Sequence, residues 1–122
     1  MIVVLMALAG GLGAGARFMV DGVARSLLRT ALPWGTILIN VSGSLLLGLL
    51  AGLAIFSAVP DGLELIVGVG FLGGYTTFST ANVETVRLVQ NRRPVLALIN
   101  ALGTILLTVP AAAAGFWLAQ FA

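Results

Sequence analysis

Three sets of uncharged hydrogen-bonding side chains stand inside otherwise apolar sequence. Asn40 interrupts one apolar run, Thr76, Thr77, Ser79 and Thr80 crowd into the glycine-rich stretch 68–80, and Asn100, Thr104 and Thr108 recur every fourth residue. Asparagine donates through its amide, serine and threonine through a hydroxyl. Neutral donors of this kind suit a small anion that must leave a site as well as enter it, where a buried arginine would hold it too tightly. Phe78 adds an aromatic ring with a positive edge that can meet an anion. Backbone carbonyls released by an interrupted helix supply the oxygen ligands that a hard cation such as Na⁺ prefers. The chemistry available is ion handling. Cysteine and histidine are both absent, which removes thiolate metal sites and the commonest general base. The reading is a protein that is not an enzyme.

Each polar residue also has a plainer role. Asn40 must be satisfied, because a buried amide without a partner costs about 1–3 kcal/mol. Either a neighbouring helix or an ion in a wet path can do this. Asn100, Thr104 and Thr108 share one helix face and form either packing contacts or a polar track. Ser42 and Ser44 are weaker signals, since serine readily bonds its own helix backbone. Phe78, taken singly, packs. Arg17 and Asp21, four apart, read as an anchoring pair, and Glu84, three residues before Arg87, stands where a pore mouth would lie. Trp34 and Trp117 read as interfacial anchors.

The elements that position these residues follow from composition. The chain of 122 residues is 60% hydrophobic and only 8% charged, against about 25% charged for a soluble domain. It is one small domain built for lipid, with no basic stripe for nucleic acid. Charges punctuate it into four helices of membrane length, at about 2–24, 34–57, 63–89 and 95–119, in a single transmembrane domain covering 1–122. Pro33, Pro60 and Pro94 mark boundaries, where a first helical turn tolerates proline, and Pro110 falls inside the fourth span. Within the third span the sequence Gly68-Val69-Gly70-Phe71-Leu72-Gly73-Gly74-Tyr75-Thr76-Thr77-Phe78-Ser79-Thr80 argues for a break. Irregular backbone at membrane depth survives only when buried in protein or lining a wet cavity, and broken helices build ion sites near the bilayer midplane.

Arg25 and Arg29 lie in the first connection, and Arg87, Arg92 and Arg93 in or beside the third. The termini and the 58–62 connection carry no arginine. The positive-inside rule puts the arginine side in the cytoplasm and both termini outside. Gly11 with Gly15, Gly70 with Gly74, and Ser44 with Gly48 and Gly52 are small residues at four-residue spacing. They allow close helix approach, within the chain or across a dimer face.

The segments GARF at 15–18, WGTILINVSGSLLLG at 34–48 and GFLGGYTTFST at 70–80 resemble the Fluc (CrcB) fluoride-channel family, and the likeness covers essentially the whole chain. The resemblance implies an all-α membrane protein of four transmembrane helices, the third broken, in an antiparallel, dual-topology dimer. It implies a bacterial inner-membrane location, passive fluoride export, two pores along the dimer interface, and one structural Na⁺ at the centre. By this resemblance Gly73 and Thr76 hold Na⁺ through backbone carbonyls. Asn40, Phe78, Ser79 and Thr80 line the fluoride pore, with Asn100, Thr104 and Thr108 as its polar track. Glu84 is the vestibule glutamate, and Arg17 is vestibular or structural. One departure stands out: Ala81 occupies the place of the family's second pore phenylalanine. A subunit that inserts both ways would have balanced arginines, and this one does not. The partner is therefore either a second copy or a paired homologue of opposite topology, the heterodimer being favoured. The rivals are a non-conducting or partly conducting structural half of such a heterodimer and a small-multidrug-type proton exchanger. The exchanger would need a membrane-embedded carboxylate, for which Asp21 is the candidate.

Overall fold

The computed structural model describes residues 1–28, 33–57, 59, 60, 62–76 and 78–121, with the side chains of 78–83 excepted. All regular structure among the described residues is helical. Helix α1 runs Ile2–Leu27, α2 Trp34–Phe56, α3 Leu65–Tyr75, α4 Phe78–Gln90 and α5 Pro94–Leu118, and a short 3₁₀ turn follows at Ala119–Phe121. Among the described residues three segments are long and apolar enough to cross a membrane: α1, α2 and Pro94–Phe121. The expected third segment, 63–89, is two shorter helices, α3 and α4. α5 runs unbroken through Pro110.

The division has a local cause. Leu65–Leu72 is wound as a π-helix, and Gly73–Tyr75 makes a single α-helical turn. The Gly73 amide reaches back five residues to the Gly68 carbonyl. Thr76 then turns extended, at φ −79° and ψ 155°. Glycine is a weak helix former, and here it also answers to packing. A Cβ on Gly74 would land on the Gly10 carbonyl oxygen, and one on Gly13 would land on the Phe71 carbonyl oxygen. α1 and α3 thus touch backbone to backbone, the contact that small residues permit where lipid supplies no hydrophobic drive.

A second such contact joins α2 to α5, where added Cβ atoms on Gly48 and Gly115 would strike the Ala112 and Leu45 carbonyl oxygens. α4 returns to α5 through a tight connection. The Arg93 amide bonds the Leu88 carbonyl at 2.8 Å and the Arg92 amide the Val89 carbonyl at 3.1 Å. This is the Schellman closure of a helix, with Arg92 left-handed at φ 58°. Pro94 then opens α5.

The burial pattern is inverted relative to a protein in water. Thr36, Asn40, Asn100 and Thr104 are buried, while Leu8, Leu12, Phe18, Met19, Ile55, Leu106 and Val109 are exposed. A chain solvated by hydrocarbon has this distribution. The small apolar centre consists of Ile39, Leu72 and Tyr75, with Phe71 stacked beside Tyr75 at 6.2 Å. The Tyr75 hydroxyl shares a 2.9 Å hydrogen bond with Ser42 of α2, tying the end of α3 to α2. Tyr75→Phe is expected to lower stability by about 1 kcal/mol. A detergent melting curve measures it, and an unchanged midpoint would assign no stabilising role to the bond.

Candidate functional site

Asn40 is the seventh residue of α2 and is 6% exposed. Ser44 stands one turn further on. Across from them α5 presents Thr104 and Thr108. The third wall is the end of α3, with Gly68, Leu72, Gly73 and Thr76. Together these residues enclose an open-sided cavity of about 270 Å³. Gly43, also on its wall, lets α2 approach the break, because a Cβ there would land on the Thr76 methyl group. No charged side chain is among the described lining residues.

Of the residues singled out by sequence, Asn40, Thr104, Thr108, Gly73 and Thr76 therefore meet at one cavity. Asn100 does not line it. That residue is 1% exposed, and its amide donates to the Thr85 hydroxyl of α4 at 2.8 Å. The stripe of three on α5 thus divides, with Asn100 turned to α4 and the two threonines turned to the cavity. The Thr104 hydroxyl donates to the Asn100 carbonyl at 2.7 Å, and the Thr108 hydroxyl to the Ile105 carbonyl at 3.5 Å. The Thr76 hydroxyl donates to the Leu72 carbonyl at 2.9 Å. Phe78, Ser79 and Thr80 form the first turn of α4 by backbone; their side chains, that of Ala81, and Thr77 lie outside the described residues.

Glu84 occupies a separate hollow of about 200 Å³ with Pro33, Arg87 and Asn91. The Thr36 hydroxyl donates to its Oε1 at 2.7 Å. Its other oxygen, Oε2, is buried with no hydrogen-bond partner among the described residues. Asp21 pairs with Arg25, Nε to Oδ2 at 3.0 Å, and not with Arg17 as its spacing first suggested. An acid placed four residues before a base is the better-oriented pair on a helix. Arg17 is half-buried on α1. Trp34 opens α2 and is half-buried, while Trp117 near the end of α5 is exposed and packs edge-on against Phe121 at 4.9 Å.

The two ends of the bundle differ in charge. Asp21 lies against Gly35, and Thr36 bonds Glu84 one turn from Arg87, so the Arg25 and Arg87 turns share one end. At the other end Gly62, at φ +85°, lies against Ile2. Ser44 reads from sequence as only a weak signal, because serines in helices usually bond their own backbone. Its place one turn from Asn40 was the available signal.

Residues 4–116 match the family described as CrcB-like protein, Camphor Resistance (CrcB). The chain is 48% identical over 122 residues to fluoride-specific ion channel FluC 1 of Leifsonia xyli, covering 100% of this chain and 89% of that protein. It is 48% identical over 114 residues to fluoride-specific ion channel FluC 2 of Mycobacterium tuberculosis, covering 93% and 86%. It is 44% identical over 121 residues to fluoride-specific ion channel FluC of Syntrophotalea carbinolica, covering 98% of each. With the match running from the first helix to the last, the chain belongs to the CrcB family.

Proposed function

We propose that this chain is a subunit of a fluoride-selective channel that lets cytoplasmic fluoride leave the cell passively. Its full-length relatives are named fluoride-specific ion channels. The observation that carries the reading here is the uncharged, hydrogen-bonding cavity where α2 and α5 meet the break after Tyr75. A small anion shedding water there meets the Asn40 amide and the Ser44 hydroxyl, and among the described lining residues no charged side chain traps it. A channel suffices for detoxification. Hydrogen fluoride enters neutral and dissociates inside, and an inside-negative potential then expels the anion with about 2.3 kcal/mol per 100 mV.

α3 and α4 together make the third crossing, broken near mid-membrane, of a four-helix domain. The arginine-bearing end faces the cytoplasm of a bacterial inner membrane, and both termini lie outside. The half-open cavity is one side of a pore that an antiparallel partner completes. Gly73 and Thr76 suit a structural Na⁺. Gly73 belongs to the last turn of α3, whose carbonyls lack the usual helical partners, Thr76 is extended, and both stand on the cavity wall. Carbonyl oxygens are hard ligands for such a cation, and among the described residues no cluster of acidic or histidine ligands competes. A Na⁺ held there by the Gly73 and Thr76 carbonyls would supply positive charge that draws such oxygens together across the break. Ala81 and the one-sided arginines favour a paired homologue of opposite orientation as the partner.

A fluoride electrode tests this on proteoliposomes made with the chain alone and with its paired homologue. The expected result is fluoride release with chloride retained, fastest from the pair. Vesicles of both kinds that hold their fluoride would end the channel reading. Equal rates from the chain alone would end the case for an obligate partner.

A further inference from the structure

We infer that the Ser44 hydroxyl is a direct hydrogen-bond donor to the permeating anion, a role that rests on the fluoride-channel reading. A hydroxyl carries one hydrogen, so it donates one bond at a time. Of the hydroxyl side chains on the cavity wall, Thr104 commits its proton to the Asn100 carbonyl at 2.7 Å and Thr76 commits its own to the Leu72 carbonyl at 2.9 Å. Both therefore turn lone pairs toward the cavity, which an anion does not want. Thr108 is held by a long 3.5 Å contact to the Ile105 carbonyl. Ser44 differs: its half-buried hydroxyl lines the cavity and makes no hydrogen bond among the described residues.

That is unusual for a helical serine, which ordinarily donates to a carbonyl three or four residues back. Ser42, two positions earlier, follows the ordinary pattern, bonding the Ile39 carbonyl at 3.2 Å and sharing a bond with Tyr75. Ser44 also stands four residues beyond Asn40, about 6 Å along the helix axis. The two groups thus form adjacent stations on one face of α2, opposite Thr104 and Thr108. A small, strongly hydrated anion moving through hydrocarbon depth must have each lost water replaced by a donor within such a step. Ser44 supplies the proton that the committed threonines do not.

The test compares Ser44→Ala and Ser44→Thr in the assembly that conducts, whether the chain alone or the pair, with wild type in parallel. Fluoride efflux is read with the electrode and folded protein with a detergent melting curve. The alanine variant is expected to melt like wild type and to release fluoride at least tenfold more slowly. The threonine variant, which keeps the hydroxyl, should stay within about threefold of wild type. Efflux from the alanine variant within twofold of wild type shows that water alone met this hydroxyl, and overturns the assignment. Loss of folded protein in the alanine variant, or a threonine variant equally slow, assigns Ser44 to packing and overturns it as well. Wild-type vesicles that release no fluoride overturn the channel reading itself, a separate outcome visible in the control.

Discussion

Asn40→Leu is expected to slow fluoride efflux by ten- to more than a hundredfold while the protein still folds and assembles. The amide is buried in the wall of the cavity, under two turns into α2. A hydrogen bond to a charged group contributes about 1.5–3 kcal/mol net, and each 1.4 kcal/mol is a factor of ten. Removing the donor and leaving an isobutyl group makes an ion shed water with nothing in its place. The natural control is the other buried asparagine. Asn100 bonds Thr85 across the α4–α5 contact and stands off the cavity. Asn100→Leu strips a buried bridge between helices, so its loss should appear first in the melting midpoint and the yield of folded protein. The paired result separates conduction from packing. If Asn40→Leu conducts normally, or if both variants simply unfold, Asn40 is packing glue and leaves the pore.

The contrast between these asparagines shows what a chain displays and what it conceals. Charges and prolines at 33, 60 and 94 bound the helices because lipid excludes both charge and unpaired backbone, a rule that acts locally. The break near Thr76 was legible for the same reason, since glycines followed by hydroxyls are a poor helix in any setting. The π-winding of Leu65–Leu72 was not legible, because no residue type marks it, and the close approach of Gly10 and Gly13 to the α3 backbone joins residues far apart in the chain. Spacing put Asn100, Thr104 and Thr108 on one stripe. A stripe on a helix is wide enough to meet two neighbours, and only the packing of α4 and α2 against α5 decides which residue faces which. For Asp21 the sequence offered an arginine four residues on either side, and the orientation rule for helical pairs already favoured Arg25. Ser44 was discounted by a sound general rule that fails at this one position.

Gly48→Ala is expected to cost about 3 kcal/mol or more, seen as a large drop in melting temperature or no folded protein at all. The new methyl would land on the Ala112 carbonyl oxygen, and its 2.7 Å distance to that carbonyl carbon would have to open to about 3.5 Å. The obstacle is helix backbone, which does not swing aside as a side-chain tip does. Overpacking usually costs about 1–3 kcal/mol. Here the strain also falls on the α2–α5 contact that sets the width of the cavity. Gly115, whose Cβ would strike the Leu45 carbonyl oxygen, faces the same limit from the other helix. In lipid no hydrophobic gain offsets the separation, since apolar surface is equally comfortable against acyl chains. Gly11 and Gly15 show the same spacing in sequence, but among the described residues no atom of another helix lies within 4 Å of where a Cβ would stand. Gly11→Ala should therefore leave the folded subunit unharmed, or steadier by up to about 1 kcal/mol from better helix propensity. Subunit association, followed by cross-linking in the same preparations, decides what that open face does. Association that survives Gly11→Ala and Gly15→Ala marks it as lipid-facing, and association lost while the subunit fold persists marks it as a dimer contact. Equal tolerance at Gly48 and Gly11 would contradict the close α2–α5 approach on which the cavity depends.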